Sequence, residues 1–122
     1  MIRILFVDDE VFLLEGLKRM LRGKNEEWEM SFVTNGKEAV ELVEKTKFDI
    51  IVTDNKMQEM DGLELLTRIK EISPETKRIL LSGQSEAEIS DKIKEIAHVF
   101  IAKPFAPDAF IAILEKTAEN SF

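Results

Sequence analysis

The sequence predicts a doubly wound α/β domain, in which helices cover both faces of a five-stranded parallel sheet. Three observations support this fold class. Short runs rich in Ile, Val and Leu recur along the chain, and most lack the polar alternation of a half-exposed strand. Stretches with apolar residues at helical spacing separate these runs. Most of the strand-like runs end abruptly on polar residues. The alternation of strand-like runs with helical stretches is typical of right-handed β–α–β crossovers in a three-layer sandwich.

Three strands and two helices alternate in the first half of the chain. We predict the first strand at residues 2–7, the second at Trp28–Val33 and the third at Phe48–Asp54. The apolar positions of the first helix are Leu13, Leu17, Met20 and Leu21. The turn Asn35–Gly36 precedes the second helix, which ends near Lys47. The apolar positions of this second helix are Ala39, Val40 and Val43.

Two further strands and three helices complete the alternation in the second half. Gly62 opens the third helix and Ser73–Pro74 closes it. Its apolar positions are Leu65, Leu66, Ile69 and Ile72. The fourth and fifth strands cover Arg78–Leu81 and Val99–Ala102, and the last helix begins near Pro107. The apolar positions of the last two helices are Ile89, Ile93 and Ile96, and then Phe110, Ile113 and Leu114.

Charge and composition exclude several classes of function. Of the 122 residues, 17 are Lys or Arg and 24 are Asp or Glu, which gives a formal net charge of −7 and a pI near 4.8. This acidic balance argues against direct binding to nucleic acid or to an anionic membrane. The absence of cysteine excludes disulfides and thiolate metal sites. The longest apolar run, Ala109–Leu114, is far shorter than the roughly 20 residues that span a bilayer. No signal peptide is visible, so we expect one cytoplasmic domain over residues 1–122.

Acidic residues follow two predicted strands that are neighbours in a doubly wound sheet. Asp8 and Asp9 come after the first strand and Asp54 ends the third, so all three are expected at the carboxyl edge where the strand order reverses. Two carboxylates about 4 Å apart repel each other by roughly 4 kcal/mol at an effective dielectric constant of 20. We therefore expect the three carboxylates to converge and to raise their pKa values or recruit a divalent cation. Hard oxygen ligands of this kind suit Mg²⁺.

Ser82 and Lys103 add a hydroxyl and a positive charge to the same edge of the sheet. A cation and a lysine can hold phosphoryl oxygens while an aspartate accepts the group, so the set suits phosphoryl transfer. Each residue alone has a structural explanation, since Asp and Ser favour caps and turns and Lys favours solvent. A haloacid-dehalogenase-like phosphatase is a weaker match, because its Asp-x-Asp pattern is not completed by Asp8-Asp9-Glu10. No complete nucleotide-binding loop or hydrolase Gly-x-Ser-x-Gly motif is present.

Taken in order, these motifs resemble a two-component response regulator receiver domain of the CheY-like superfamily. They are Val7–Glu10, Asp54 with Met57 and Met60–Gly62 behind it, Leu81–Gly83, and Lys103–Phe105. The match covers the whole chain with the separations typical of that family. The resemblance implies a flavodoxin-like (βα)5 fold with the strand order 2-1-3-4-5, and one receiver domain over residues 1–122.

The resemblance also implies a phosphoacceptor and a metal site. Asp54 is then the acceptor, and it contacts the metal as well. Asp9 is a direct ligand of Mg²⁺, Asp8 contributes through water, and the main-chain carbonyl of Lys56 is a further ligand. Mn²⁺ would serve in place of Mg²⁺.

The resemblance also implies which residues transmit the effect of phosphorylation away from Asp54. Lys103 pairs with the phosphoryl group, Ser82 moves its hydroxyl towards that group, and Phe100 occupies the aromatic switch position. The surface that changes is the fourth helix (near Glu86–Ala97), the fifth strand and the last helix. We expect this surface to contact a C-terminal output domain, a partner protein or a second receiver in a homodimer.

The implied phosphodonor is a histidine kinase or a phosphotransfer protein. The receiver would catalyse only its own phosphorylation and slow autodephosphorylation, so we do not expect an enzyme that turns over a separate substrate. We also expect no direct contact with nucleic acid or with a membrane. The alternative is an unphosphorylated pseudo-receiver that acts only as a protein-interaction module. The complete set of Asp8, Asp9, Asp54, Ser82 and Lys103 argues against that alternative.

The chain departs from the family pattern at two positions. Gln58 stands where the family usually has proline, and the entropic contribution of that proline would be about 0.4–1 kcal/mol, too little to remove the site. Phe100 replaces a frequent tyrosine and so lacks a hydroxyl. Lys56 and Gln84 lie next to the phosphoryl position, where side chains in this family tune the lifetime of the phosphoryl group.

Overall fold

Five parallel strands form one sheet in the order β2-β1-β3-β4-β5 in the computed structural model, which describes residues 1–83 and 90–119. The predicted fold and strand order are confirmed. The strands are β1 (Ile2–Val7), β2 (Trp28–Val33), β3 (Ile50–Asp54), β4 (Lys77–Ser82) and β5 (Val99–Ala102). The helices are α1 (Val11–Met20), α2 (Gly36–Lys45), α3 (Gly62–Ile72), α4 (Asp91–Ile96) and α5 (Pro107–Glu119). None of the helices in this part of the chain has the length and apolar character that a bilayer crossing requires.

Two apolar cores lie on opposite faces of the sheet, as the doubly wound fold requires. One core lies beneath α2, α3 and α4, where Ile51 of β3 packs in the same cluster as Leu65. The other lies beneath α1 and α5, where Val52 shares a cluster with Phe110. Since β3 contributes to both cores, all of its residues are buried, which explains its near-continuous Ile and Val sequence.

Helix α1 buries a different face from the predicted one. Leu13 is 44% exposed, whereas Leu14 is 3% exposed and belongs to the core with Leu17 and Leu21. These last three leucines lie at i, i+3 and i+7, on one side of the helix. The prediction that Leu13 lies on the buried face is wrong. Neighbouring residues of a helix point about 100° apart, and the sequence does not show whether Leu13 or Leu14 belongs to the buried face.

Several predicted boundaries differ from the observed ones by a few residues, where hydrogen bonding rather than composition ends an element. The differences are α2 ending at Lys45 instead of near Lys47, β3 beginning at Ile50 instead of Phe48, and β4 beginning at Lys77 instead of Arg78. Ile72, predicted on the apolar side of α3, is 40% exposed because it is the last residue of that helix.

The prediction for the fourth helix falls partly outside the described residues. Helix α4 begins at Asp91, and the hydroxyl of its N-cap Ser90 accepts a hydrogen bond from the Ile93 amide at 3.2 Å. Ile93 and Ile96 are buried, as predicted. The residues that lie outside the described part are 84–89, which include Gln84, Glu86 and Ile89.

A buried arginine ties α4 to the sheet. Arg78 Nε donates to the carbonyl of Ile96 at 2.6 Å, and its Nη1 donates to the carbonyls of Pro74 and Thr76, both at 3.2 Å. The Arg78 amide donates to Nδ1 of His98 at 2.9 Å. Burial, and then the positive charge of Arg78 and of two nearby lysines, lowers the pKa of His98, which keeps Nδ1 available as an acceptor. These bonds hold the C-terminal end of α4 against β4 and β5.

Candidate functional site

The register of the sheet places Asp8 beside Asp54. Val7, the last residue of β1, pairs with Thr53 of β3, so the next residue of each strand lies at the same level. Both aspartates are buried, with Asp8 at 3% and Asp54 at 7% exposure. The two aspartates therefore lie side by side at the carboxyl edge of the sheet.

Strands β4 and β5 bring Ser82 and Lys103 to the same edge. Asp54 pairs with Leu81, so Ser82 lies one residue beyond the level of Asp54. Ser82 pairs in turn with Ala102, and the main-chain amide of Lys103 donates to the carbonyl of Ser82 at 2.8 Å. The parallel register alone therefore assembles these groups from three neighbouring strands.

Lys103 and Asp54 form an ion pair across the site, with Nζ of the lysine against Oδ1 of the aspartate. The Asp54 side chain is 9% exposed and the Lys103 side chain is 30% exposed, so the pair is shielded at the aspartate and open to solvent at the lysine. A buried carboxylate without a partner is strongly destabilising, and Lys103 supplies that partner. A group transferred to Asp54 would therefore meet a positive charge that is already in place.

Asp8 has a perturbed acidity. Burial raises the pKa of Asp8 above its ordinary value, and the negative charge of Asp54 raises that pKa further. Two contacts act in the opposite direction, the Glu10 amide that donates to Asp8 Oδ1 at 2.9 Å and the positive charge of Lys103. The two neighbouring carboxylates therefore repel each other, and a cation between them would relieve this repulsion.

Asp9 has a different partner from Asp8 and Asp54. Its Oδ2 accepts a hydrogen bond from the main-chain amide of Gln58 at 3.0 Å, which joins the β1–α1 loop to the β3–α3 loop. Across residues 1–83 and 90–119, no three Asp, Glu, His or Cys side chains are grouped so that they could hold a metal ion. The expected convergence of three carboxylates is absent from this arrangement, in which Asp9 is bonded to Gln58. The metal-ligand roles of Asp8, Asp9, Asp54 and Lys56 stay predictions.

The oxygen atoms of a cleft beside Asp9 are of the kind that binds a hard divalent cation. Carboxylate and carbonyl oxygens are the ligands that Mg²⁺ prefers, and both occur in an open cleft of about 610 Å³. The cleft is lined by Asp9, Glu10, Asn55, Lys56, Met57, Gln58 and Asp61. In the described part of the chain, Asn55 Oδ1 is buried without a hydrogen-bond partner, and a buried acceptor of this kind normally binds water or an ion. The residues present therefore fit magnesium in kind, and no pattern in the sequence indicated Asn55.

Gly62 determines how closely α3 approaches the end of β3. A Cβ atom at this position would lie against the main-chain oxygen of Asp54 and 2.8 Å from Cα of Asn55, so a larger residue would displace the strand end. The Gly62 amide also donates to the carbonyl of Asn55 at 2.9 Å. Gly62 thus positions Asp54 through the backbone, and its only signal in the sequence is its place in the Met60–Gly62 motif.

Phe100 and Ser82, the two predicted switch residues, lie on the α4 side of the site. Phe100 is half-buried and packs against the apolar core that includes Ile93 and Ile96. A shallow depression of about 220 Å³ lies beside its ring, lined by Ile93, Lys94, Ala97, His98 and Phe100. Ser82 is 2% exposed. The switch roles of both residues stay predictions, and Gln84 lies outside the described residues.

An apolar surface at the start of α1 was not predicted from the sequence. Val11 is 57% exposed at the first position of α1, and Phe12 is 90% exposed outside the face that α1 buries. Beside them lies a groove of about 380 Å³ between α1 and the β5–α5 loop, which includes a cis Lys103–Pro104 peptide bond. Since Asp8 and Lys103 also line this groove, a protein that reaches Asp54 from this side would contact the apolar surface. The available signal was Phe12, which is out of phase with Leu14 and Leu17.

Comparison with known sequences agrees with this arrangement. A family model described as the response regulator receiver domain matches residues 4–115. The chain is 37% identical over 120 residues to the chemotaxis protein CheY of Listeria monocytogenes, with 98% of this chain and 100% of that protein covered. It is 33% identical over 118 residues to the hydrogenase transcriptional regulatory protein HoxA of Bradyrhizobium diazoefficiens, with 95% of this chain but 24% of that protein covered.

Comparison with solved structures gives the same result. A response regulator receiver domain protein (CheY-like) from Methanospirillum hungatei JF-1 superimposes with a TM-score of 0.87 at 27% sequence identity, covering 98% of this chain and 94% of the other. The likeness therefore extends over the whole sheet and its helices. A domain similar to this chain occurs alone in one relative and as part of a larger transcriptional regulator in another.

Proposed function

Since the chain belongs to the response regulator receiver domain family of two-component signalling, we propose that it is a switch controlled by phosphorylation of Asp54. The observation that carries the proposal is the pairing of Asp54 with Lys103 at the carboxyl edge of the sheet. Asp54 ends the most buried strand, so it is a fixed acceptor. The donor is a histidine kinase or a phosphotransfer protein.

The proposed reaction is a displacement at phosphorus. A carboxylate oxygen of Asp54 forms a bond to the phosphorus of a donor phosphohistidine, while the P–N bond breaks and the imidazole leaves with its electron pair and takes up a proton. Lys103 exchanges its contact with Asp54 for a contact with a phosphoryl oxygen, so its charge follows the transferred group. Mg²⁺, or Mn²⁺ in its place, would neutralise further oxygens from a site formed by Asp8, Asp9, Asp54 and the Lys56 carbonyl.

The donor protein has a surface to contact beside the acceptor. Phe12 and its neighbours expose an apolar surface next to a groove that Asp8 and Lys103 also line. Exposed apolar patches of this kind commonly mark protein–protein contacts. We therefore place the phosphodonor over the start of α1 and the β5–α5 loop, where its phosphohistidine can reach Asp54.

The output leaves the site on another surface, formed by α4, β5 and α5. Phosphorylation adds charge and acceptor oxygens at Asp54, and the Ser82 hydroxyl can donate to one of these oxygens if its loop moves inward. The depression beside Phe100 offers room for its ring to change position. The partner on this surface is a C-terminal output domain, a separate protein or a second receiver in a homodimer.

One receiver domain occupies residues 1–122 and works in the cytoplasm. It catalyses its own phosphorylation and slow autodephosphorylation, without turning over a separate substrate. It contacts neither nucleic acid nor a membrane directly, in keeping with its formal charge of −7.

An unphosphorylated interaction module is the second candidate, because two of the three carboxylates already have partners. Lys103 neutralises Asp54, and Asp9 is hydrogen-bonded to Gln58. If these contacts are permanent, the chain binds partners without accepting a phosphoryl group. Phosphorylation chemistry separates the two candidates.

The test is incubation with acetyl phosphate and Mg²⁺, followed by intact mass measurement. We expect one added phosphoryl group in the wild type and none in Asp54→Ala. Asp61→Asn is the matched control, since it changes another carboxylate of the cleft while asparagine can still accept the Glu64 amide at the N-terminus of α3. Equal labelling of Asp54→Ala would refute the acceptor, and an unlabelled wild type would favour the interaction module.

A further inference from the structure

The hydrogen bond between Gln58 and Asp9 depends on the residue type at position 58. Gln58 has a main-chain N–H, and this group donates to Asp9 Oδ2 at 3.0 Å. Proline has no N–H, so the bond could not form in a chain with proline at position 58. A residue that departs from the family pattern therefore creates a contact with a carboxylate that we propose to bind the cation.

The β3–α3 loop holds the Gln58 amide in a defined place. The Gln58 carbonyl accepts a hydrogen bond from the Met60 amide at 2.8 Å, and Glu59 between them has φ of 66°, so the three residues form a γ-turn. The loop is closed by the Gly62 amide, which donates to the carbonyl of Asn55 at 2.9 Å. Both main-chain groups of Gln58 are thus occupied, and its amide is presented to Asp9 by a short, bonded turn.

The same bond determines where Asp9 is directed. Asp8 and Asp54 follow paired residues of neighbouring strands, so they lie side by side at the carboxyl edge of the sheet. Asp9 instead faces the β3–α3 loop, and within the described ranges no three acidic or histidine side chains form a group that could hold a metal. A cation that draws Asp9 towards Asp8 and Asp54 therefore has to displace this carboxylate from the Gln58 amide.

We propose that the Gln58 main-chain amide is a latch that holds Asp9 away from Asp8 and Asp54 and lowers the affinity of the unphosphorylated protein for Mg²⁺. The proposal rests on the proposed function, because it concerns the cation that supports phosphorylation of Asp54. Cation binding opens the latch, so the β3–α3 loop changes its hydrogen bonding when the cation enters. Gln58 acts here as a positioning residue, through its backbone and not through its exposed side chain.

The opposite role for the bond is a fixed support that orients Asp9 towards the cation, as outer-shell partners do at many metal sites. The two roles predict opposite effects of removing the N–H. Loss of a latch strengthens cation binding, whereas loss of a support weakens it. The separation of Asp9 from the other carboxylates in this structure favours the latch.

The first experiment compares Mg²⁺ affinities by isothermal titration calorimetry in the wild type, Gln58→Pro and Gln58→Ala. Gln58→Ala is the matched control, because it removes the side chain and keeps the N–H. We expect Gln58→Pro to bind Mg²⁺ about 3-fold to 10-fold more tightly, since one hydrogen bond to a carboxylate no longer has to be broken. Gln58→Ala should stay within about twofold of the wild type. An unchanged or weaker affinity in Gln58→Pro overturns the latch.

A second measurement uses only the wild type, so it holds even if Gln58→Pro misfolds. The Gln58 amide proton is followed by NMR while Mg²⁺ is added without any phosphodonor. The latch predicts that this proton shifts upfield and exchanges faster with solvent as the site fills. A Gln58 amide that stays hydrogen-bonded and protected in the Mg²⁺-saturated protein overturns the proposal.

The outcomes distinguish this inference from the function on which it rests. If the wild type binds Mg²⁺ and accepts a phosphoryl group but the Gln58 amide does not respond, only the latch is wrong. If the wild type binds no Mg²⁺ and Gln58→Pro restores no binding, the proposed cation site fails together with the latch. If Gln58→Pro alone binds Mg²⁺, the latch is supported in its strongest form.

Discussion

Strands β3 and β5 belong to the same sheet, but they are buried to very different degrees. All the residues of β3 are buried, whereas in β5 only Ile101 is buried and Ala102 is exposed. Helices cover β3 on both faces, while β5 is the edge strand. Asp54 therefore ends a strand that cannot move without disrupting both cores. Lys103 follows a strand with far fewer such constraints.

The helices beside these two strands differ in the same direction. Helix α3 has 11 residues, and its N-cap Asp61 accepts the Glu64 amide at 2.8 Å. Helix α4 has 6 residues, of which Ile93 and Ile96 are buried. Local opening is easiest where buried apolar contacts are few, so we expect the α4–β5 side to open before the β1–β3 side. This is also the side on which we place the response to phosphorylation.

Replacing Arg78 by alanine should have the largest effect on this contrast, because Arg78 ties α4 to the sheet. The carbonyls of Ile96, Pro74 and Thr76 lose their donor. We expect the free energy of unfolding to fall by about 3 kcal/mol in urea titrations. Arg78→Lys is the control, since it keeps the charge without the planar fork of donors and should lose less.

Amide hydrogen exchange of Arg78→Ala tests which part of the protein loses stability. The α4 amides of Arg78→Ala should exchange through an opening that leaves the β3 amides protected. Exchange of α4 and β3 at one common rate would show that the two sides open together, and the contrast between them would be wrong.

Replacing Gly62 by alanine should have the next largest effect, on the rigid side. The added Cβ meets the backbone at the end of β3, and we expect a loss of about 2 kcal/mol in unfolding free energy. Gly16→Ala in α1 is the matched control, because a Cβ there meets nothing within 4 Å. That control should gain about 0.5–1 kcal/mol from helix propensity. A Gly62→Ala protein as stable as the wild type would mean that the backbone at the end of β3 can shift at little energetic cost.

Replacing Asp8 by asparagine should have a smaller effect of opposite sign. Burial and then Asp54 raise the pKa of Asp8 above its ordinary value of 3.8, so the folded protein keeps this proton to a higher pH than the unfolded chain does. Stability due to Asp8 is therefore lost as pH rises from 3.8 through the folded-state pKa. An asparagine side chain cannot ionise, so Asp8→Asn should be more stable than the wild type by about 1 kcal/mol at pH 7 without metal.

Thermal melts over a range of pH and Mg²⁺ concentration check this prediction. The advantage of Asp8→Asn should disappear below pH 3.8, where Asp8 is protonated in both states. Millimolar Mg²⁺ should raise the melting temperature of the wild type more than that of the variant, because binding to the folded state stabilises it. If Asp8→Asn is less stable than the wild type at pH 7 without metal, the proposed repulsion between Asp8 and Asp54 does not destabilise the folded protein.

The fold and the strand-end residues of the site were predictable, because they depend on local periodicity and on sheet order. The Ile50–Val52 run identifies a strand buried on both faces, and the parallel register then brings Asp8, Asp54 and Lys103 to one edge. No contact between particular side chains has to be known for this step. The rotational phase of α1 was not predictable, since adjacent leucines allow two choices.

The direction of Asp9 and the role of Arg78 could not be predicted, because both depend on main-chain groups of distant loops. Asp9 is 49 positions from the Gln58 amide it accepts from, and no sequence pattern reports which way that amide points. Arg78 donates only to carbonyls in the side-chain hydrogen bonds observed within residues 1–83 and 90–119, and carbonyls are common to every residue type. Contacts of this kind can be identified only once the three-dimensional path of the backbone is known.

Phosphorylation at the rigid end of β3 should change the structure on the α4–β5 side. The most direct test is an amide chemical-shift map of the wild type on adding beryllofluoride and Mg²⁺ as a mimic of the phosphorylated state. We predict shifts concentrated in residues 82–105, none in Asp54→Ala, and a partial pattern in Ser82→Ala. One charge-assisted hydrogen bond of about 1.5–3 kcal/mol is less than the roughly 5.5 kcal/mol that moves a population from 1:99 to 99:1. A wild-type map without shifts in α4 and β5, or a complete pattern in Ser82→Ala, would contradict the account.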